Sequence, residues 1–439
     1  VTASADDGSL VAARVTARDG PRGGAYSVEA RVWPTESAWR FRVLLEWNEF
    51  ELNNWTSAEA EGAGHARGCV RLSRDADEGA VRYASRIALY DLLAPQLEVE
   101  PFGRGDEGAP RRAREARGRA AASECSSAAQ LAEGGYAPDA GGIATWAPLR
   151  CALRASTRAA AERAFAGRWV VFIGASQTAE FFTKAFQLLA GLNPINVTRA
   201  NLTAELDARA EPSFYAESRA CDKPGYRYRD YDSRPGTLAG GARLTLFWIG
   251  SVNRCRPGGD GLRTLDSAPV VARLRALLRG ETAAGLARHP PDVVVFNSGM
   301  HDLSWHDPAR GAGGGRAPRF RLSEYTERLQ HAFALLSARP PLAAPHLVWK
   351  ANNPKFKFFE CAELGFGASV GNPGIKLMNA MASRIALAHG ADVWDEWQLR
   401  YLAPEDGDGH HACTPDGDGF NTYDSPSCHG AFAILLRLM

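Results

Sequence analysis

A serine that follows a short apolar run, and an Asp-x-x-His in a loop near the far end of the chain, are the residues best suited to covalent chemistry. Ser176 follows the apolar run 169–173 through Gly174-Ala175, a small-residue turn that lifts a hydroxyl to the rim of a sheet. A serine hydroxyl is a weak nucleophile and needs a base within hydrogen-bond reach, itself oriented by a third group. His411 is the candidate base, taking the Ser176 proton and returning it to the leaving oxygen. Asp408, three residues earlier on the same loop, would hold the imidazole tautomer and stabilise the imidazolium. Two further apolar runs end suggestively, 244–249 at Gly250 and 293–296 at Asn297-Ser298-Gly299. The Ser176 amide, the Gly250 amide and the Asn297 side chain are the expected oxyanion donors, each worth about 3 kcal/mol in a water-poor site.

Each piece also has a plainer reading. Gly-x-Ser after a strand is a common tight turn, and Asn297 can simply cap the loop after its strand. His410 and His411 share their loop with Asp406, Asp408, Asp416 and Asp418, which reads as a solvated segment or a weak cation site. The spacing departs from that of an EF-hand, so no metal is expected, and no cofactor either. A rival pair, Asp424 and His429, is spaced by five residues rather than three. The conjunction decides in favour of Ser176, Asp408 and His411: three strand ends and a distal Asp-x-x-His, in the chain order such a site requires.

The elements that must position these residues are legible as a change of pattern after Cys151. Short apolar runs at 169–173, 244–249, 293–296, 346–349 and 392–394 alternate with helical periodicity at 178–189, 323–338 and 377–389. That alternation predicts a parallel sheet covered by helices, with ligands bound beyond the carboxyl ends of its strands. Before it, residues 10–17, 26–33 and 39–47 alternate with period two, which predicts strands of a small β-sandwich. A Gly/Ala/Arg-rich stretch reads as a linker. The expected division is a β-sandwich over 1–102, a linker over 103–124 and the α/β region over 125–439.

With 439 residues, 45% hydrophobic and 23% charged, the chain has the composition of a soluble globular protein of two domains. A formal net charge of +1 argues against nucleic acid or an anionic membrane as partner, and the local run Arg111–Arg117 reads as solvated linker. No apolar run reaches the roughly 18 residues of a transmembrane helix. The chain does not begin with Met or with a signal-peptide pattern, so a trimmed form is the expectation. Eight cysteines without a CxxC pair, and sequons at Asn54, Asn196 and Asn201, point to a secreted, cell-surface or Golgi-lumen protein. The expected disulfides are Cys125–Cys151 and Cys413–Cys428, then Cys221–Cys255, each clipping a segment with weak secondary-structure signals.

Several blocks resemble the PC-esterase branch of the SGNH hydrolases. Phe172-Ile173-Gly174-Ala175-Ser176 is similar to its F-I-G-D-S block, with Ala175 in place of the Asp. Gly134-Gly135-Tyr136 and Trp146 to Cys151 resemble its G-x-W-V and P-x-x-C lead-in. Phe296-Asn297-Ser298-Gly299-Met300-His301 resembles its N-x-G-x-H/W block. Asp408-Gly409-His410-His411-Ala412-Cys413-Thr414-Pro415, with Phe420-Asn421 beyond, resembles the D-x-x-H-W-C-x-P … W-N ending. The branch includes trichome-birefringence-like polysaccharide O-acetyltransferases, sialic acid O-acetyltransferases, and neurexophilin-and-PC-esterase proteins. The likeness runs from about Cys125 to the end, and the β-rich start more loosely resembles the immunoglobulin- or filamin-like domain of the last group. It implies a flavodoxin-like SGNH sheet and an extracytoplasmic carbohydrate O-acetyltransferase or O-acetylesterase working through a serine acyl-enzyme. The substrate would be a carbohydrate or glycoprotein, with Trp248, Trp305 and Trp349 as candidates for stacking on sugar rings. The other reading, favoured by Ala175, is a non-catalytic secreted glycoprotein that keeps the fold as a scaffold or carbohydrate-binding module, with an assembly partner outside the cell.

Overall fold

The computed structural model describes the strand backbones 2–5, 10–17, 26–30, 39–42, 44–45, 70–74, 81–84 and 87–88, and then residues 124–125, 127–138, 144–148, 151–153, 156–192, 199–209, 230–249, 265, 268–282, 285–286, 289–300, 302, 322–337, 344–354, 372–401 and 425–439. Gly250, Trp305, Asp408, His411, Asp424, Asn54, Asn196, Cys221, Cys255 and Cys413 lie outside these residues, as do the acidic loop around Asp406 and the 103–122 stretch.

Six strands form the central sheet: β1 (Trp169–Gly174), β2 (Tyr231–Asp232), β3 (Arg243–Trp248), β4 (Val293–Phe296), β5 (His346–Lys350) and β6 (Asp392–Trp394). Their spatial order is β2-β3-β1-β4-β5-β6. All pairings are parallel except that of the short edge strand β2 with β3. Numbered by chain order, the five parallel strands run 2-1-3-4-5, the flavodoxin-like order expected from the sequence. The inner strands are continuous apolar runs because both of their faces are covered. Val170 and Phe172 of β1 belong to one core, and Trp169, Val171 and Ile173 to the other.

The first core is closed by helices α1 (Arg158–Phe165), α2 (Ser176–Ala190), α3 (Arg199–Arg209) and, from the chain's end, α8 (Pro426–Leu438). The second lies under α4 (Ala268–Leu278), α5 (Leu322–Ser337) and α6 (Asn372–Ala388). The short α7 (Trp397–Tyr401) follows β6. Local chemistry sets the helix ends. α1 starts where the Thr157 hydroxyl accepts the Ala160 amide at 3.2 Å, and α8 where the Ser425 hydroxyl accepts that of Cys428 at 3.1 Å, with Pro426 next.

The N-terminal strands form an antiparallel sheet in the order 144–148, 134–138, 10–17, 2–5, 39–42, with 26–30 added on 10–17. Leu10 pairs with Tyr136 and Val11 with Gly135, so this sheet joins the start of the chain to the segment that leads into the α/β region. Strands 44–45 with 87–88, and 70–74 with 81–84, form two separate two-stranded sheets, so the described residues do not show an immunoglobulin- or filamin-like sandwich.

Candidate active site

The chain leaves β1 through α2 toward β3 on one side and reaches β4 through α4 on the other, so the sheet's switch point lies between the carboxyl ends of β1 and β4. Ser176 stands there. It is the first helical residue of α2, half-buried, two positions earlier than periodicity suggested. Ala175 precedes it in extended conformation and accepts the Thr178 and Ala179 amides at 3.0 and 2.9 Å. The Ser176 amide therefore falls among the donors that a helix start leaves without an intrahelical partner, at the positive end of the helix dipole. Gly174 makes the turn at φ +155°, where a Cβ would lie 2.4 Å from Thr178 Oγ1 and 3.0 Å from the Asn297 carbonyl oxygen.

Asn297 flanks the other side of the crevice, its amide donating to the Ile173 carbonyl at 3.0 Å. Its side-chain Nδ2 donates to the Lys350 carbonyl at 2.8 Å and to Asn352 Oδ1 at 3.2 Å. Residues 350–353, at the carboxyl end of β5, are pinned from both sides. Asn352 Nδ2 donates to the Ser298 carbonyl at 2.9 Å, and the Asn352 main chain exchanges bonds of 2.9 and 2.8 Å with the Asn379 amide group of α6. The Asn353 amide donates to Gln177 Oε1 of α2 at 3.2 Å. Gly299 closes this cluster at φ +127°, where a Cβ would lie 2.3 Å from Met378 Cε and 2.8 Å from Asn352 Nδ2. Tyr325 donates to the Ser298 carbonyl at 3.3 Å. Its phenol is pushed well above its ordinary 10.0, first by burial and then by the Asp302 carboxylate.

Next to this crevice lies a buried charge group. Lys350 Nζ is 2.7 Å from Glu396 Oε1 and donates to Asn353 Oδ1 at 2.9 Å. Arg400 reaches Glu180 Oε1 at 3.1 Å and Glu396 Oε2 at 3.5 Å. All four side chains are 2% exposed or less. Phe181 and Trp394, with ring centroids 4.4 Å apart edge to face, wall the group, and Lys350 Nζ lies 5.3 Å from the Phe181 centroid. Burial lowers the Lys350 pKa, opposed by Glu396 and Glu180. The two acids raise that of Arg400 against the effect of burial, the largest single influence. Two cations and two anions sum to zero, the condition on which buried charge is tolerated.

Ser176 and Asn297 thus follow the carboxyl ends of the adjacent strands β1 and β4, while Asp408, His411 and Gly250 lie outside the described residues. His429 of the rival pair is on α8, where its Nδ1 is 2.8 Å from Ser156 Oγ. Trp349 is a correction. It is wholly buried against Phe296 and Phe333 at 5.3 and 5.7 Å, so it cannot stack on a sugar. Trp248 is partly buried against the first core. Asn201 is exposed on α3. Cys125 is bonded to Cys151, and Cys428 to a cysteine outside the described residues. Gln177, Glu180, Lys350, Asn352, Asn353, Glu396 and Arg400 were not expected from the sequence.

Among the described residues no three His, Cys, Asp or Glu side chains group as metal ligands, and no helix is long and apolar enough to cross a membrane. An open groove of about 700 Å³ between α5 and α6 is lined by Glu327, His331, Arg384 and His389. It lies at the end of α6 that leads into β6, away from the carboxyl ends of the strands.

No family model matches the chain, and no curated protein does. Solved structures found similar include Axe2, an acetylxylan esterase from Geobacillus stearothermophilus, 13% identical, covering 53% of this chain and 78% of that one with a TM-score of 0.25. Another is LAE5, described as an alpha/beta hydrolase enzyme from the metagenome of Lake Arreo, Spain, 15% identical, covering 61% and 97% with a TM-score of 0.30.

Proposed function

We propose that this chain is an extracytoplasmic SGNH-type O-acetyl enzyme of the PC-esterase branch, transferring acetyl groups to carbohydrate or removing them through a Ser176 acyl-enzyme. The observation that carries the reading is the placement of Ser176: half-buried at the switch point, on the first turn of a 15-residue helix, after the strand that pairs with the one Asn297 follows. Ser176 Oγ attacks the ester carbonyl while His411, oriented by Asp408, takes its proton. The Ser176 and Gly250 amides receive the oxyanion. The tetrahedral intermediate then expels the alkoxide, which His411 protonates, and water or a sugar hydroxyl repeats the sequence on the acyl-enzyme. For Asn297 to join the oxyanion donors it must give up its longer bond, the 3.2 Å contact to Asn352. The Cys125–Cys151 disulfide, the bonded Cys428 and the exposed sequon at Asn201 support an exported location.

Ala175 favours the second reading, a scaffold that no longer reacts, because no side chain caps α2 where the resembling family carries a carboxylate. A serine-reactive fluorophosphonate and an aryl acetate separate the two. Labelling at Ser176, and a loss of at least about a thousandfold in kcat for Ser176→Ala, support the enzyme. Hydrolysis within about tenfold of the parent in that variant refutes the assignment, and no labelling of the native parent supports the scaffold.

A further inference from the structure

The charge group next to the crevice meets the Ser176 turn through a short chain of contacts. Lys350 Nζ donates to Asn353 Oδ1 at 2.9 Å and to the Ala351 carbonyl at 3.3 Å. The Asn353 amide donates to Gln177 Oε1 at 3.2 Å, and Gln177 is the residue after Ser176. The Lys350 carbonyl accepts from Asn297 Nδ2 at 2.8 Å on the opposite flank. Segment 350–353 therefore touches both sides of the crevice, and the ammonium that fixes its shape is fully buried. A lysine brought into the interior costs free energy unless it is paired, and the Lys350 ammonium has the Glu396 carboxylate at 2.7 Å together with the Asn353 and Ala351 oxygens. Nothing in the proposed acyl transfer needs Lys350 to touch substrate.

We propose that Lys350 is a positioning residue, which sets residues 351–353 and through Asn353 and Gln177 holds the first turn of α2, and with it Ser176, in register with Asn297. This rests on the Ser176 reading for its catalytic consequence but not for the coupling itself. The alternative is that the ion pair is only a balanced charge in the core. The two differ once both charges are removed together. Lys350→Met/Glu396→Gln takes away one cation and one anion and leaves the Arg400–Glu180 pair, so charge balance is kept while the donor to Asn353 is lost.

The test compares parent, Lys350→Met/Glu396→Gln and Asn353→Ser, which cuts the same link without touching a charge. Amide hydrogen exchange is read by mass spectrometry on peptides covering residues 174–180 and 350–354, with 169–173 as the internal reference. The expected result is exchange at least about tenfold faster in both peptides of both variants, with the reference unchanged. Aryl acetate hydrolysis should then show kcat lower by up to about a hundredfold, the scale of a 1 Å misplacement, with KM held within about threefold. Parental exchange in a folded double variant, or in Asn353→Ser, overturns the proposal. So does faster exchange accompanied by a parental kcat in an active protein. If the parent itself neither labels nor hydrolyses, the enzyme reading fails, while the exchange data still decide whether Lys350 holds the turn.

Discussion

Replacing Arg400 by methionine keeps most of the side chain's volume and deletes its charge. In the native protein Arg400 faces Glu180 at 3.1 Å and Glu396 at 3.5 Å, and Lys350 sits 2.7 Å from Glu396. The deletion leaves two carboxylates, Glu180 and Glu396, facing the single ammonium of Lys350, in a site where every member of the group is at most 2% exposed. Removing one partner of a buried pair costs about 3–5 kcal/mol. The carboxylate charge then in excess can be relieved by taking up a proton. From an ordinary value of about 4.3, protonation at pH 7 costs about 3.7 kcal/mol, which caps the penalty near the middle of that range. For a folding unit of this size, at about 2.1 cal/mol/K of unfolding entropy per residue, about 3.7 kcal/mol lowers Tm by roughly 4–6 °C. Because protonation rescues the variant, the penalty should shrink as pH falls toward 4. Calorimetry of parent, Arg400→Met and Arg400→Met/Glu180→Gln at pH 5 and 7 measures all of this. The double variant should recover more than half of the lost Tm. A single variant that melts within about 2 °C of the parent at pH 7 would show that the group is hydrated, and the reasoning about the buried quartet would fall.

Two further outcomes follow from the same cluster. The native state holds the Tyr325 proton above the pH at which the unfolded chain releases it near 10.0, so this residue's contribution is present below that pH and is lost as pH rises through and above it. Tyr325→Phe should flatten the fall in urea midpoint between pH 9 and 11, and an unchanged slope would exclude the phenol as its source. Gly299→Ala forces a Cβ to within 2.3 Å of Met378 Cε at φ +127°, and should cost about 3 kcal/mol by chemical denaturation. A cost under about 0.5 kcal/mol would mean the Gly299 turn relaxes freely.

The sheet was legible because its inner strands are buried on both faces, so that Val170–Ile173 and Val293–Phe296 show as uninterrupted apolar runs. The start of α2 was not, because Ser176 and Gln177 carry no helical periodicity of their own and Ala175 offers no capping side chain. α8 did have readable signals in Ser425 and Pro426, a capping hydroxyl and an N-terminal proline ahead of an apolar stretch. The charge quartet was invisible for a general reason. Glu, Lys and Arg read as surface residues, and only the fold brings Glu180, Lys350, Glu396 and Arg400 together across 220 positions of chain. The asparagines at 352 and 353 left a trace, since two adjacent amides directly after a buried strand have backbone work to do.

The pairing of residues 10–17 with 134–138 bears on how this chain can be divided. Tyr136 of that second strand donates to the Leu399 carbonyl at 3.1 Å, and Trp146 of its neighbour to the Leu131 carbonyl at 3.1 Å, both inside the first core. A strand rooted in the α/β region's first core thus offers its edge to the start of the chain. Severing the chain near residue 102 would uncover that edge, a ready template for pairing with a second molecule. The seam between 10–17 and 134–138 is a hydrogen-bonded ladder, and a shortened protein would keep the hydrophobic core of its α/β region while acquiring a sticky flank.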